Sequence, residues 1–341
     1  MITVRTVEGI ATGSARADWE LLLDEDPNAT VFQGPRFLEV WKRVLGDAVE
    51  ARTHLFTDEG RLVGVVAEAH ERTSTMTGPQ EHRQFLGGNE VTDYLGPVAR
   101  RHDRADVAAA YLDLLAKDLD WDEFAFRGLA VDSTWPDLFE TGVAERGWTI
   151  LDRGRDDVCP YVDLSVGYDG YLSSLPSKQR HELKRRARKL ARDAGDVRLV
   201  DVKESDVHDR LDDFFEMAAG NESDKGGFFR RDVMREFFHA LADEFGHDAF
   251  RLHVLDVADR PGAFTISLVQ GGHWGLYNST FDPALRALGP GMVLVGDLIE
   301  IAAKEGCREF DLLRGDEPYK YRFGATDREL VRFTATRGSN T

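Results

Sequence analysis

The chain contains the same run of predicted elements twice, and this repeat restricts its fold more than any other feature of the sequence. Residues 52–66 alternate apolar and polar side chains around an Asp-Glu-Gly turn, and residues 251–266 do the same around an Asp-Arg-Pro-Gly turn. Both runs are typical of β-hairpins. In each half a helical pattern and then a short strand follow, and the strand ends in Arg-Gly at residues 127–128 and 314–315. The repeat predicts two domains of similar architecture.

The order of strands and helices in each half indicates an α/β (α+β) domain with one central, mixed and mostly antiparallel sheet flanked by helices. A chain of 341 residues is long enough for two such domains. The first half closes and the second opens between Arg146 and Pro160. We therefore predict an N-terminal domain over residues 1–155 and a C-terminal domain over residues 156–341.

The composition argues against several classes of protein. The formal net charge is −18, from 61 acidic and 43 basic residues, so nucleic acid would be repelled except at a local basic patch. Two cysteines, Cys159 and Cys307, are too few for a disulfide framework or a cysteine-rich zinc site. The histidines lack a His-x-x-x-His spacing, and we expect no metal. Without a signal-peptide pattern or a membrane-spanning apolar run, we expect a cytoplasmic protein with no membrane partner.

A glycine-containing loop in the second half joins a predicted strand to a predicted helix. It reads Arg286-Ala-Leu-Gly289-Pro-Gly291, and Met292 and Val293 open the helix. Glycines let the backbone approach a ligand closely, and a helix N-terminus offers unpaired N–H groups to an anion. The proline between the glycines removes one of these donors. The sequence therefore predicts a cradle for a pyrophosphate, although neither a P-loop nor a Gly-x-Gly-x-x-Gly pattern is present.

The first half lacks this cradle. Residues 89–98 occupy the corresponding position there, and they contain no Arg-x-x-Gly-x-Gly pattern. We therefore expect that one half keeps the anion site and that the other has become a scaffold or a wall of the substrate site.

A basic helix is predicted near the start of the second half. Residues 178–192 contain eight Lys and Arg residues against Glu182 alone, a local charge of +7. Arg180, Lys184 and Arg188 fall at i, i+4 and i+8, so they share one face and can reach a common anion. A phosphate of a cofactor, an acidic acceptor and a tRNA acceptor stem would each fit, and a simple solvated face remains the alternative.

Together these motifs resemble the tandem-domain branch of the GNAT acyltransferase superfamily, which contains the Fem-like aminoacyltransferases. The loop is similar to the superfamily's coenzyme A signature, Gln/Arg-x-x-Gly-x-Gly/Ala. The resemblance implies two tandem GNAT-like domains, of which the second holds a thioester donor between splayed central strands. It also implies that the pyrophosphate of the donor is bound by Arg286, Gly289, Gly291, Met292 and Val293. The segments that carry the resemblance are residues 177–190, 277–281, 286–291 and 310–320.

The resemblance also limits the donor. Fem-like members take the acyl group from aminoacyl-tRNA and have a long helical arm. No charged coiled coil of that size is visible in this sequence. We therefore expect acetyl-CoA or another acyl-CoA as co-substrate, and tRNA as the less favoured partner.

Acyl transfer to an amine needs a base for the ammonium and a proton source for the leaving thiolate. The acidic candidates for the base are Glu317 and Asp311, near the strand expected to line the acyl channel, and Asp93 in the first half. Tyr319 and Tyr277 are candidate proton donors. Lys320 is a further cation in this segment. We expect it either to bind a carboxylate or phosphate of the acceptor, or to pair with a neighbouring acid.

The sequence thus predicts an N-acyltransferase that moves an acyl group, with acetyl the expected one, from acyl-CoA to the amine of a small-molecule or peptide acceptor. Two alternatives stay open. One is an aminoacyl-tRNA-dependent Fem-like transferase, and the other is a catalytically silent binding module with the GNAT fold. The acceptor pocket is built by loops that contain no recognisable pattern.

Overall fold

The computed structural model describes residues 2–75, 78–118, 120–220 and 224–337. Its strands are β1 (Thr3–Glu8), β2 (Glu50–Asp58), β3 (Arg61–Thr75), β4 (Gly78–Phe85), β5 (Val98–Ala99), β6 (Glu123–Ala130), β7 (Thr149–Asp163), β8 (Val197–Asp201), β9 (Phe250–Val257), β10 (Arg260–Gln270), β11 (His273–Phe281), β12 (Glu309–Asp311) and β13 (Thr326–Thr336). Its α-helices are α1 (Ser14–Glu25), α2 (Pro35–Val44), α3 (Arg104–Lys117), α4 (Trp135–Glu145), α5 (Gly167–Ser174), α6 (Ser177–Ala194), α7 (Val207–Ala219), α8 (Asp224–Phe229), α9 (Asp232–Ala249) and α10 (Pro290–Lys304). Within the described ranges, none of these helices is both long and apolar enough to cross a bilayer.

The chain divides into two compact units. The first contains the described residues up to Val158 and again from Arg328 onward, and the second is Cys159–Asp327. This division differs from the predicted ranges of 1–155 and 156–341 mainly at the C-terminal end. There β13 pairs antiparallel with β6 of the first unit, from Leu330 opposite Ala130 to Thr336 opposite Glu123. An amphipathic strand fits either sheet by its pattern, so the sequence alone did not indicate this return.

The first unit is built on a sheet with the order β1-β2-β3-β4-β6-β13, and β5 pairs with β3. Its neighbouring strands are antiparallel except for β4 and β6, which are parallel over three residue pairs. Helices α3 and α4 cover an apolar core rich in aromatic rings. Phe126 of β6 stacks on Phe333 of β13 with ring centroids 4.7 Å apart, so the returning strand forms part of this core.

The second unit repeats this arrangement. Its sheet has the order β12-β11-β10-β9-β8, and the last residues of β7 pair with β12. Again one pair of strands is parallel, β11 with β12, and again over three residue pairs. Helix α10 connects these two strands, as α3 connects β4 and β6 in the first unit. The predicted repeat and the α/β fold class are therefore confirmed, with a mixed, mostly antiparallel sheet in each unit.

The two predicted hairpins close by the same turn. In β2–β3 the residues between the paired Asp58 and Arg61 are Glu59 and Gly60, with φ of 49° and 83°. In β9–β10 the corresponding residues are Ala258 and Asp259, with φ of 49° and 60°. Positive φ at both central residues is the geometry of the tight turn that matches the twist of antiparallel strands. The first turn lies within the predicted Asp-Glu-Gly, whereas the second lies earlier than predicted, because Arg260, Pro261 and Gly262 belong to β10.

Strands β11 and β12 form the feature of the second unit that positions the site. They pair only from His273 opposite Glu309 to Gly275 opposite Asp311. Beyond Gly275 the strand β11 continues to Phe281 without this partner, and a β-bulge between Leu276 and Asn278 shifts its register against β10. Bulges redirect side chains and increase local twist. The strands thus separate on the side where β11 leads into the glycine loop.

Candidate functional site

The glycine loop forms the start of α10, as the sequence predicts. Gly289 has φ of 65° and ψ of 52° and is the N-cap residue, and Pro290 is the first helical residue, a position that proline favours. The N–H groups of Met292 and Val293 both donate to the carbonyl of Gly289, at 3.1 and 3.3 Å. Because proline has no N–H, the amide of Gly291 is the first-turn donor that these bonds leave for a ligand.

A pocket of about 240 Å³ lies at this helix start. Three arginine side chains line it, and they come from three separate parts of the chain: Arg186 from α6, Arg286 from the loop and Arg322 from the segment after β12. The guanidinium carbon of Arg286 lies 5.6 Å from the ring centroid of Phe281, the last residue of β11. Guanidinium groups and helix N-termini both attract anions. The pocket is therefore suited to a phosphate-containing ligand.

The basic helix reaches this pocket through residues that the sequence reasoning did not select. Arg186 lines the pocket and forms an ion pair with Glu182 at 2.9 Å. The ammonium of Lys189 donates to the carbonyl of Ala287 in the loop at 3.1 Å. Arg186 lies three positions after Leu183 and four before the buried Leu190, so it interrupts the apolar stripe of α6. A charge on such a stripe was the signal that could have identified it.

The three predicted anion-binding residues of α6 are not brought together. Arg180 and Lys184 line a second pocket, between α5, α6 and α10. Arg188 lies outside the lining of both pockets, is exposed, and donates from Nε to the carbonyl of Lys184 at 3.1 Å. Their i, i+4, i+8 spacing places them on one helix side, but Arg188 lies one turn beyond Lys184 and outside the pocket lining.

Tyr319 lines the arginine pocket, and its hydroxyl forms a hydrogen bond with Ser279 of β11. Burial, together with the negative charge of Glu317, raises the pKa of Tyr319 well above its usual value. The phenol is therefore protonated throughout the physiological pH range and can act as a proton donor. The side chain of Glu317 is 42% exposed and forms an ion pair with Lys320 at 2.9 Å.

Lys320 is occupied by the protein itself. Its ammonium donates to the carbonyls of Leu313, Arg314 and Gly315 at 2.7, 2.8 and 2.9 Å. With the Glu317 carboxylate as a fourth partner and 2% exposure, this side chain fixes the turn after β12. These contacts favour a structural role for Lys320 over the predicted binding of an acceptor.

Asp311 is also buried, with no exposed surface. One carboxylate oxygen accepts the N–H of Leu313 at 2.7 Å, and the other lies 3.2 Å from Nε2 of His273. An incoming amine could not reach this carboxylate without displacing these contacts, so the predicted role of Asp311 as the base does not fit its surroundings. Ligand atoms of His273, Glu309 and Asp311 lie within 4.8 Å of one another. The sequence did not suggest this group, because its members come from two strands.

Tyr277, Val293 and Asp93 are not among the residues that line the arginine pocket. The ring of Tyr277, at the bulge of β11, packs on Phe238 of α9 with centroids 5.4 Å apart, and Tyr277 is not part of the pocket lining. Val293 lines the second pocket rather than the first, whereas Met292 lines both. Asp93 belongs to the first unit, in the segment between β4 and β5.

In the first unit the helix that corresponds to α10 is α3, and buried side chains lie at its start. Arg104 is buried at its first helical position and forms an ion pair with Asp26. The Asp26 carboxylate also accepts the N–H of Ala99 at 3.0 Å. Tyr94 and Leu95 are buried within the preceding loop. An internal ion pair thus lies at the start of α3, and the expectation that this half lacks an anion site stays a prediction.

Comparison with known proteins agrees with this geometry. Residues 177–321 match the family model described as an acetyltransferase (GNAT) domain, a range that contains both α6 and the glycine loop. The chain is similar in structure to FemX, with a TM-score of 0.67 and 11% identity over 95% of this chain and 96% of that one. No curated protein sequence matches the chain significantly.

Two further solved structures are similar over nearly the whole chain. A conserved protein of unknown function from Bacteroides thetaiotaomicron has a TM-score of 0.61 and 15% identity over 98% of this chain and 100% of that one. The C-terminal domain (DUF2156) of a protein named as a lysylphosphatidylglycerol synthetase, from Agrobacterium fabrum, has a TM-score of 0.57 and 11% identity over 96% and 92%. Residues 177–321 thus resemble a GNAT acetyltransferase domain, and the chain as a whole has a tandem GNAT-like fold like that of FemX.

Proposed function

We propose that the protein is an N-acyltransferase that takes an acyl group, acetyl in the first instance, from acyl-CoA and transfers it to the amine of a small-molecule or peptide acceptor. The observation that carries this proposal is the pocket at the start of α10, where three arginines and a glycine N-cap converge beside strands that separate. A pyrophosphate matches these donors in charge and in hydrogen-bonding capacity.

In this arrangement the pyrophosphate accepts from the amide of Gly291 and from the guanidinium groups of Arg186, Arg286 and Arg322. The pantetheine chain then enters the gap that opens where β11 leaves β12, after Gly275. Ser279 and Tyr319 line the pocket next to this gap. The donor would thus extend from the charged pocket toward the paired ends of the two strands.

The chemistry follows from this placement. The neutral amine nitrogen attacks the thioester carbonyl carbon and the C–N bond forms. The nitrogen then passes its second proton to water, and the C–S bond breaks. The leaving thiolate takes the proton of the Tyr319 hydroxyl, which solvent later replaces, and the raised pKa of Tyr319 keeps this proton available. The ammonium of the acceptor first loses a proton to Glu317, directly or through water, because Glu317 is the partly exposed carboxylate beside Tyr319.

Calorimetric titration with acetyl-CoA, longer acyl-CoAs and free coenzyme A tests donor binding. We expect saturable micromolar binding by the parent and at least tenfold weaker binding by Arg286→Ala, Arg186→Ala and Gly291→Asp, since a charge-assisted hydrogen bond contributes about 1.5–3 kcal/mol. Arg188→Ala, on the same helix but outside the pocket, is the matched control and should bind like the parent. Unchanged affinity in all three pocket variants would remove the site assignment.

A second candidate donor is aminoacyl-tRNA, and the exposed face of α6 favours it. Five cations of this helix, which also supplies Arg186 to the pocket, are exposed; they are Lys178, Lys184, Arg185, Arg188 and Arg192. Binding of aminoacyl-tRNA that weakens steeply with salt, together with no binding of any coenzyme A species, would select this donor.

If the protein is instead a catalytically silent binding module, we expect a different combination of results. It would bind coenzyme A in the titration and show no acyl turnover with a broad panel of amines. Turnover that disappears in Tyr319→Phe while donor affinity stays within about twofold would instead support the proposed role of this tyrosine, because the substitution removes only the hydroxyl.

A further inference from the structure

The second pocket of the GNAT domain has a volume of about 340 Å³ and lies between α5, α6 and α10. Pockets that bind small ligands have volumes of about 300–1,000 Å³, so this one is large enough for a compact molecule. Met292 lines both pockets, and the two therefore adjoin at the first turn of α10. No part of the proposed donor chemistry uses the second pocket.

The acidic side chains of this pocket come from one helix and the basic side chains from another. Asp297 and Glu300 line it from α10, and Arg180 and Lys184 line it from α6. Glu300 is already engaged, since it pairs with Lys304 at 2.6 Å and forms a hydrogen bond with Tyr168. Arg180 donates from Nη1 to the carbonyl of Leu172 at 3.0 Å, which holds its side chain against α5.

Asp297 and Lys184 are different, because each lacks a partner. Within the described part of the chain, neither side chain forms an ion pair or a hydrogen bond. Two opposite charges thus line one pocket without meeting. Burial, with the charge of Glu300 as a smaller cause, raises the pKa of Asp297 to about 6, so its ionised form would gain from a cation in the pocket.

We infer that this pocket binds a small zwitterion of the α-amino-acid type, with its ammonium on Asp297 and its carboxylate on Lys184 and Arg180. A simple anion fits less well, because it would face Asp297 and Glu300. A simple cation would face the two basic side chains. A molecule with both charges satisfies both walls, and this refines the expectation that Arg180 and Lys184 bind an anion.

The test is calorimetric titration of the parent with each of the twenty protein amino acids, followed by the methyl ester and the N-acetyl derivative of the tightest one. We expect saturable binding of at least one amino acid. The ester lacks the carboxylate and the acetyl derivative lacks the ammonium, so each should bind at least tenfold more weakly. Asp297→Asn and Lys184→Met should each weaken the binding of the amino acid at least tenfold. Lys178→Met, exposed on α6 outside the pocket, should match the parent.

A second measurement needs no variant. The titratable groups that line the pocket with Asp297 are Glu300 on the same helix, Tyr168 and Tyr171 on α5, and Arg180 and Lys184 on α6. The affinity of the parent for the amino acid should fall as the pH drops through about 6 and Asp297 becomes protonated. Affinity independent of pH in this range would contradict the role of Asp297.

The inference is overturned if none of the amino acids binds saturably, if the ester and the acetyl derivative bind as tightly as the amino acid, or if both pocket variants bind like the parent. Acetyl-CoA titrated into the same proteins separates this question from the donor site. Failure of amino-acid binding with intact donor binding would reject the zwitterion pocket alone.

Discussion

The guanidinium of Arg186 lies over Gly289, so that a Cβ added to Gly289 would lie 2.9 Å from Nη1 of Arg186. The basic helix and the glycine loop, far apart in the sequence, therefore form one surface. Position 289 needs glycine for two reasons. Its φ is 65°, and the guanidinium of Arg186 occupies the space that a side chain would fill.

Gly289→Ala should therefore weaken the binding of acetyl-CoA by about tenfold or more without unfolding the protein. The new methyl group would strain the positive φ and displace the guanidinium from the pocket, with a cost of about 1–2 kcal/mol for the backbone alone. The measurement is calorimetry beside thermal unfolding. Gly227→Ala is the matched control, since its φ is not positive and its nearest contact is Arg230 at 3.9 Å. Equal donor affinity in both variants would contradict the importance of the contact.

Lys320→Met should destabilise the second unit by about 3–5 kcal/mol, the cost of leaving the partners of a buried charge unpaired. Three carbonyls and the Glu317 carboxylate lose their donor. Urea unfolding measures the loss, and the exposed Lys203→Met serves as control. A fully stable Lys320→Met protein that no longer binds an acceptor would support the acceptor-binding role instead of the structural one.

His253 should make the second unit sensitive to acid. Its burial, at 2% exposure, lowers the pKa of its imidazole to about 4. The unfolded chain, with a histidine pKa near 6.5, takes up the proton first, so stability is complete above about pH 6.5 and is lost as the pH falls toward 4. The loss between pH 7.5 and 5 should be about 2 kcal/mol. Urea unfolding at the two pH values checks this, and His253→Gln should reduce the difference by that amount.

Glu68 should be important for the stability of the first unit. It is fully buried, accepts from the Tyr111 hydroxyl at 2.6 Å, and lies 3.4 Å from both Arg83 and His54. Burial acts to raise its pKa, but the hydrogen bond and charge of His54 and the charge of Arg83 outweigh it, and the pKa is lowered.

Glu68→Gln keeps the shape and removes the charge, so that Arg83 retains only Asp118, at 2.6 Å, as a carboxylate partner. We expect a loss of about 1–3 kcal/mol in the free energy of unfolding. The exposed Glu145→Gln, in the same unit, should change stability by less than about 0.5 kcal/mol. Equal stability of the two variants would show that the buried network contributes nothing net.

The sequence predicted the features that depend on local geometry. The hairpins β2–β3 and β9–β10 were recognisable because their turns and strand alternation lie within about fifteen residues. The glycine loop at the start of α10 was recognisable because Gly289 and Pro290 are favoured at the N-cap and at the first helical position.

The features that depend on packing were not predictable in this way. Arg186 and Arg322 join the loop only through the tertiary fold, and no spacing in the sequence relates them to Arg286. Asp311 and Lys320 have the residue types of catalytic or binding groups, but their burial is decided by the backbone that folds around them. Lys320 pairs with the neighbouring Glu317, which was one of its two expected roles, and the catalytic role of Asp311 stays a prediction that its internal contacts do not favour.

The return of β13 to the first unit also has a consequence for biosynthesis. Phe333, Val331 and Ala335 belong to the core of that unit, yet the ribosome adds them only after all of Cys159–Asp327 has been made. The N-terminal half must therefore wait in an incomplete state, with the edge of β6 unpaired, while the later half is synthesised and can already fold. The domain that is translated first is the one that is finished last.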